Sequence, residues 1–375
     1  MDSTSESESD YEFQTDDESE TDDGEIPFIE RLWTNVRYVE NFEYPHEINS
    51  FCRRLGPVSP PRVDALPLEY FHKLTFPEEG RNLIEILVEE TNRHADQFLS
   101  NPQYSPMPYS RCLQWSETNV DEMSAYLGLY LSMGILRKPS IEAYWQDSEQ
   151  SFLFRTPGFP EIMTRDRFQI LSKFLHCNDN SKQVPRGNDN YDPSHKFRPI
   201  LDLLNKTFPN AYDLARDLTI DESMVGFKGR NDIVQYVPAK KSHQWGAKLF
   251  ALAESDTGYN AAIQLYAGRQ EGVARSPHGV GYDVVMQLIH PYLYRYHHLV
   301  CDNYFSSPAL CSALFEANTY MTGTVRVCRK GMPRSLKGLK LQRGEIVVKQ
   351  SGLIMALCYG DRKTVTFMST LSKPK

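Results

Sequence analysis

Apolar positions recur at helical spacing through the first half of the chain. In "EEGRNLIEILVEETNRHADQFLS", Leu83, Ile84, Ile86, Leu87 and Thr91 fall at such spacing, continuing to Phe98, and predict a helix. "DEMSAYLGLYLSMGILR" predicts a second, strongly apolar one, whose Tyr-rich "YLGLYL" stretch, with Trp115 and Trp145, is assigned to the core. "TRDRFQILSKFLHCNDN" predicts a third, with Thr164 as its cap and Asn178, Asp179 and Asn180 as its stop. "HKFRPILDLLNKTF" predicts a fourth. Residues 67–216 therefore read as a helical domain. Residues 31–66 are mixed, with "GPVSPPR" as a linker signal.

At Leu218 the period changes. "LTIDESMVGF", "WGAKLFALAES", "YNAAIQLYAG" and "HHLVCDN" read as strands separated by Gly, Asp and Thr turns. "YDVVMQLIHPYLYRY" and "SPALCSALFEAN" read as helices, and "TYMTGTVRV" as a further strand. Three strands, a helix, a strand, a helix and a strand predict a mixed sheet covered by helices over residues 217–375. The expected fold class is thus all-α followed by α/β.

Composition divides the chain again. At 375 residues it exceeds the roughly 250–300 at which single cores stop growing. The net charge of -8 belongs to one end: residues 1–30 hold 13 Asp or Glu and no Lys or Arg, leaving 36 acids against 41 bases in the rest. A mildly basic body suits an anionic partner. The acidic segment buries too little apolar surface to offset its ordering entropy and is expected to be disordered. Ser5 with Glu8 and Ser19 with Asp22 have the spacing an acid-directed kinase selects. Seven widely spaced cysteines without a C-x-x-C point to reduced thiols, not to a disulfide framework or a zinc site. No apolar run approaches the roughly 18 residues of a membrane span, and the acidic N-terminus is unlike a secretory signal.

The chemistry gathers around two aspartates. Asp221 and Glu222 interrupt an otherwise apolar strand, where an unpaired carboxylate is costly. Strand side chains alternate, so only one of them faces a given side. Leu218, Ile220 and Met224 share the side of Glu222, which leaves Asp221 for a site and Glu222 for a basic neighbour such as Lys248. Asp302 ends the "HHLVCDN" strand, where sites form in open α/β sheets. In a ribonuclease H-type sheet the first strand lies beside the fourth, which brings Asp221 to Asp302. Two such carboxylates repel by roughly 4 kcal/mol at 4 Å and an effective dielectric near 20. Mg²⁺ offsets that repulsion, and two ions about 3.5–4 Å apart clamp the attacking and leaving oxygens of phosphoryl transfer.

"TIDESMVGFKGR", "YVPAKKSHQWGAKLF", "TGYNAAIQLYAGRQ", "CDNYFSS" and "MTGTVRV" together resemble the catalytic core of piggyBac transposases and their domesticated descendants. "PLEYF", "EETNRHADQF", "AYLGLYLSMGILRKPSIEAYW", "RFQILSKFLHCNDN" and "KFRPILDLLNKTF" resemble that family's DNA-binding and dimerisation domain, so the similarity is collinear from about residue 66 to 375. The resemblance implies a ribonuclease H-like domain with a three-aspartate site for Mg²⁺ or Mn²⁺, duplex DNA as partner, a homodimer, a nuclear location, and strand cleavage and transfer at TTAA targets. Asp221 matches the first metal-binding aspartate and Asp302 the second. No residue matches the third: Glu316 is expected in the following helix, Glu345 at the start of a strand, and Asp361 in a hairpin turn. The sequence stops at "TVTFMSTLSKPK", which the resemblance puts inside the family's β-rich insertion, and no match to the family's cysteine-rich zinc finger is expected here. The expected function is DNA binding with an incomplete catalytic site; a fragment of an active transposase and a non-catalytic chromatin protein are the alternatives.

Phosphate contacts are assigned by charge. Val325 to Lys349 holds eight Lys or Arg against one acid: Arg326, Arg329, Lys330, Arg334, Lys337, Lys340, Arg343 and Lys349. Lys228, Arg230, Lys240 and Lys248 follow the first aspartate and are assigned likewise. His297 and His298 lack metal-ligand spacing and are expected to be structural.

Overall fold

The computed structural model describes residues 32–35, 51, 55–62, 64–104, 106–146, 155–188, 190–227, 229, 231–238, 244–266, 268 and 276–371. The acidic residues 1–30 expected to be disordered lie outside these. Helices come first: α1 (Pro67–Thr75), α2 (Leu83–Leu99), α3 (Val120–Ile135), α4 (Gly158–Ile162), α5 (Arg165–Phe174) and α6 (Arg198–Ala211). Their starts follow from side-chain chemistry. Asn82 accepts the Glu85 N–H at 2.9 Å while Glu85 accepts the Asn82 N–H at 2.9 Å, a reciprocal cap on α2. Asn119 caps α3, and Thr164 caps α5 as its position predicts.

Ile84 and Leu87 of α2, Met123, Tyr126 and Leu129 of α3, and Phe168 and Leu171 of α5 are buried together. Each such side chain contributes roughly 1.5–3 kcal/mol by leaving water. α3 departs from its expected core role. Tyr126 is buried, but Tyr130, Leu131 and Ile135 are 59%, 64% and 86% exposed. The helix is apolar nearly all round, while its described neighbours cover one side only.

Strands follow: β1 (Thr34–Asn35), β2 (Gly56–Pro57), β3 (Tyr212–Asp213), β4 (Asp217–Gly226), β5 (Val234–Tyr236), β6 (Trp245–Glu254), β7 (Asn260–Tyr266), β8 (His298–Cys301), β9 (Tyr320–Thr324), β10 (Ile346–Ser351), β11 (Ile354–Gly360) and β12 (Thr364–Ser369). Helices α7 (Val280–Ile289) and α8 (Pro308–Glu316) interleave with them. One sheet runs β1-β10-β11-β12-β9-β8-β4-β6-β5, with β7 also on β6. β4 is antiparallel to β6 and parallel to β8, and β8 is parallel to β9. The succession β7-β6-β4-β8-β9 is a ribonuclease H-like mixed sheet, and the first long strand does lie beside the fourth. Strands β10 to β12 extend it through β12 on β9.

Part of the segment expected to be irregular is paired: Thr34 opposes Gln350 and Gly56 opposes Asp213. Two-residue strands carry no alternation for a sequence to display. β9 ends at Thr324, short of the predicted Val327. Leu218, Ile220, Phe250, Leu252 and Leu299 pack with Val285, Leu288 and Ile289 of α7 and Leu310 and Leu314 of α8. Alternation therefore turns Asp217, Thr219 and Asp221 to the other face.

Candidate two-carboxylate site and basic segment

The β4–β8 ladder pairs Leu218 with Leu299, Thr219 with Val300 and Ile220 with Cys301. The next residues are Asp221 and Asp302, which leave adjacent parallel strands at one level and on one face. Both are exposed at that edge. Asp221 Oδ1 accepts the Glu222 N–H at 2.7 Å, and Asp302 Oδ1 accepts the Tyr304 N–H at 2.9 Å. Protein atoms crowding the Asp302 carboxyl push its pKa up, and the charges of Asp221 and Glu222 add to the rise against backbone hydrogen bonds from Tyr304 and Phe305. A cation at this edge would offset that rise.

Glu222 points the other way. Its Oε2 lies 2.7 Å from Lys248 Nζ, the basic partner that alternation assigned to it. The ammonium sits 5.1 Å from the centroids of Phe250 and Tyr304 and 5.5 Å from that of Tyr266, within cation–π range. Lys248 was also assigned to phosphate; its side chain is 14% exposed and engaged with Glu222.

Two carboxylates on one face are hard oxygen donors of the kind that hold one Mg²⁺ or Mn²⁺, the remaining positions being left to water or phosphate. The other acidic residues after Asp302 are held elsewhere. Glu316 ends α8, the Glu345 carboxylate accepts the Gln342 N–H at 2.7 Å, and Asp361 lies in the β11–β12 turn, 4.0 Å from Arg343. Among the described residues no three His, Cys, Asp or Glu side chains gather as a metal-binding group.

A family model described as Transposase IS4 matches residues 66–375. The chain belongs to this transposase family, in its piggyBac type. The human piggyBac transposable element-derived protein 3 is 27% identical over 325 residues, which cover 82% of this chain and 50% of that protein. The human derived protein 2 is 24% identical over 302 residues, covering 78% of this chain and 47% of that protein. The chain spans about half the length of these relatives. A cryo-EM structure of a piggyBac transposase synaptic complex with hairpin DNA superposes with a TM-score of 0.70 at 26% identity, covering 86% of this chain and 64% of that one.

The basic residues of this piggyBac-type chain divide by environment. Lys228, Arg230 and Lys240 lie outside the described residues. Lys330, Arg334, Lys337, Lys340 and Arg343 are exposed around the segment between β9 and β10, and Arg326 is half-buried. Arg329 is different: its Nη2 donates to the Tyr304 carbonyl at 2.6 Å and to the Asn303 carbonyl at 3.2 Å. Charge counting could not see this, because the acceptors are backbone atoms of a distant loop. Lys349 contacts the Asn35 side chain on the edge strand. The histidines hold the sheet: His297 meets the Ala215 carbonyl at 3.0 Å, and His298 bridges Asp217 at 2.8 Å and Thr322 at 2.9 Å. The "HCNDN" turn is built as a helix stop, with the Asp179 carboxylate accepting the Ser181 N–H at 3.0 Å. No helix among the described residues is long and apolar enough to cross a membrane.

Proposed function

We propose that this chain is a transposase-derived DNA-binding protein with a reduced metal site. Arg326, Lys330, Arg334, Lys337, Lys340 and Arg343 take duplex phosphates, and the charges of Lys228, Arg230 and Lys240 suit the same partner. Phosphate contacts of this kind position a protein on DNA without reading its sequence. Asp221 and Asp302 would hold one Mg²⁺ or Mn²⁺ beside the bound backbone. When bound, such an ion supplies Lewis-acid polarisation of a phosphoryl oxygen. The carboxylates fix where it sits, and the flanking cations bring the phosphate to it.

The observation that carries this reading is the register of β4 on β8, whose last pair, Ile220 with Cys301, directly precedes Asp221 and Asp302. In the ancestral reaction, strand cleavage and transfer at TTAA sites, three carboxylates share the load, and Asp221 and Asp302 stand for two of them. The helical domain contributes further DNA contacts, and the apolar edge of α3 carries a homodimer. The nucleus is the compartment that fits such a partner, and the acidic N-terminal segment is the substrate for an acid-directed kinase.

The test is duplex binding by the purified chain as a function of salt. The logarithm of affinity should fall linearly with the logarithm of salt, with a slope reflecting several phosphates. Replacing Arg334, Lys337 and Lys340 by Met together should reduce that slope by about three units, whereas Asp221→Asn should leave it unchanged without metal. A flat profile, or no binding at low salt, contradicts the proposal.

A further inference from the structure

Asp302 follows the last paired residue of β8, so the ladder no longer fixes it. Ser306 holds its backbone: the Ser306 Oγ–H donates to the Asp302 carbonyl at 2.8 Å. Its carboxylate accepts the Tyr304 N–H at 2.9 Å, and the Phe305 N–H adds a second backbone hydrogen bond. The carbonyls of these two peptides, Asn303 and Tyr304, are in turn braced. Arg329 donates to the Tyr304 carbonyl at 2.6 Å, and to Asn303 beside it. The Arg329 Nε is buried without a hydrogen-bond partner among the described residues, so this end of the guanidinium lies against the protein. Helix α7 backs the same carbonyl: a Cβ added at Gly281 would stand 2.9 Å from it. The Tyr304 ring is occupied by the Lys248 ammonium, at 5.1 Å.

We propose that Arg329 is a positioning residue for the Asp302 carboxylate, acting through the backbone of Tyr304. It rests on the reading of Asp221 and Asp302 as a cation site. The brace spans from the basic segment after β9 to the loop after β8. The setting of the second aspartate therefore depends on a cation that charge counting assigns to phosphate. An arginine suits the task because one nitrogen of its planar, rigid guanidinium reaches both carbonyls in a fixed geometry, which a lysine's flexible ammonium does not reproduce. Outer-shell partners of this type commonly change metal affinity by about 10–100-fold when removed.

The experiment compares the full chain with Arg329→Met and Arg329→Lys. Hydrogen exchange without metal should show peptides covering 302–306 exchanging at least about tenfold faster in Arg329→Met, with β8 and β9 unchanged. Mn²⁺ titration followed by electron paramagnetic resonance should show about tenfold weaker binding. Arg329→Lys should fall between, and duplex affinity and its salt slope in metal-free buffer should stay as in the wild type. Unchanged loop exchange overturns the proposal. So does a salt slope reduced by about one at unaltered Mn²⁺ affinity, which marks a phosphate contact. Should Arg329→Met exchange fast throughout β8 and β9, and so be unfolded, the lysine variant decides by the same criteria. Absence of Mn²⁺ binding in the wild type overturns the cation site instead, and the exchange comparison alone then decides the brace.

Discussion

Lys248 and Glu222 form a 2.7 Å ion pair on the face of β4 opposite Asp221. With 14% and 26% of their side chains exposed, the pair lies between a surface bridge and a buried one. Removing one partner leaves a partly desolvated charge. Lys248→Met should therefore cost about 2 kcal/mol in urea denaturation, between the surface and buried limits. Glu222→Gln added to it should recover part of that loss, because the orphaned charge disappears with it. A double variant losing the sum of the two single losses would show that the pair is uncoupled.

His94 and His176 stack with ring centroids 3.4 Å apart in the helical region. Burial, then the charges of His176 and Lys196, push His94 down from 6.5 to about 4. Burial also pushes His176 down. Between pH 6.5 and about 4 the unfolded chain therefore binds more protons than the folded one. Stability should be full above pH 6.5 and fall with pH through that window, by up to about 1.4 kcal/mol per pH unit for each proton. Thermal unfolding from pH 7.5 to 4.5 checks this. His94→Gln should flatten the fall, and an unaltered pH dependence would count against the role of the stack.

Tyr130, Leu131 and Ile135 present an exposed apolar edge on α3. If a second copy covers it, Leu131→Glu with Ile135→Glu should convert a dimer to a monomer in light scattering while leaving helix content intact. A variant of unaltered mass places the contact elsewhere.

The sequence carries the core of this arrangement for reasons that can be named. Strand alternation alone separates Asp221 from Glu222 by face, with Lys248 as one basic neighbour for Glu222. The meander followed by a crossover fixes β4 beside β8, and with it Asp302. What stays hidden depends on backbone paths. Arg329 looks like any cation in a basic run, because the carbonyls of Asn303 and Tyr304 carry no side-chain signal. The pairing of Thr34 with Gln350 joins residues more than three hundred positions apart through a two-residue strand. The exposed edge of α3 is invisible in an apolar helix, where pattern does not say which neighbours are present. Among the described residues, Glu316, Glu345 and Asp361 are each placed by other elements.

The central claim is that Asp221 and Asp302 share one cation. Crystals of the full chain soaked in Mn²⁺ test it through anomalous scattering. The expected result is one peak with oxygens of both carboxylates at about 2.1 Å, absent in Asp302→Asn. A peak touching only one of the two aspartates, or no peak at that edge of the sheet, would contradict it.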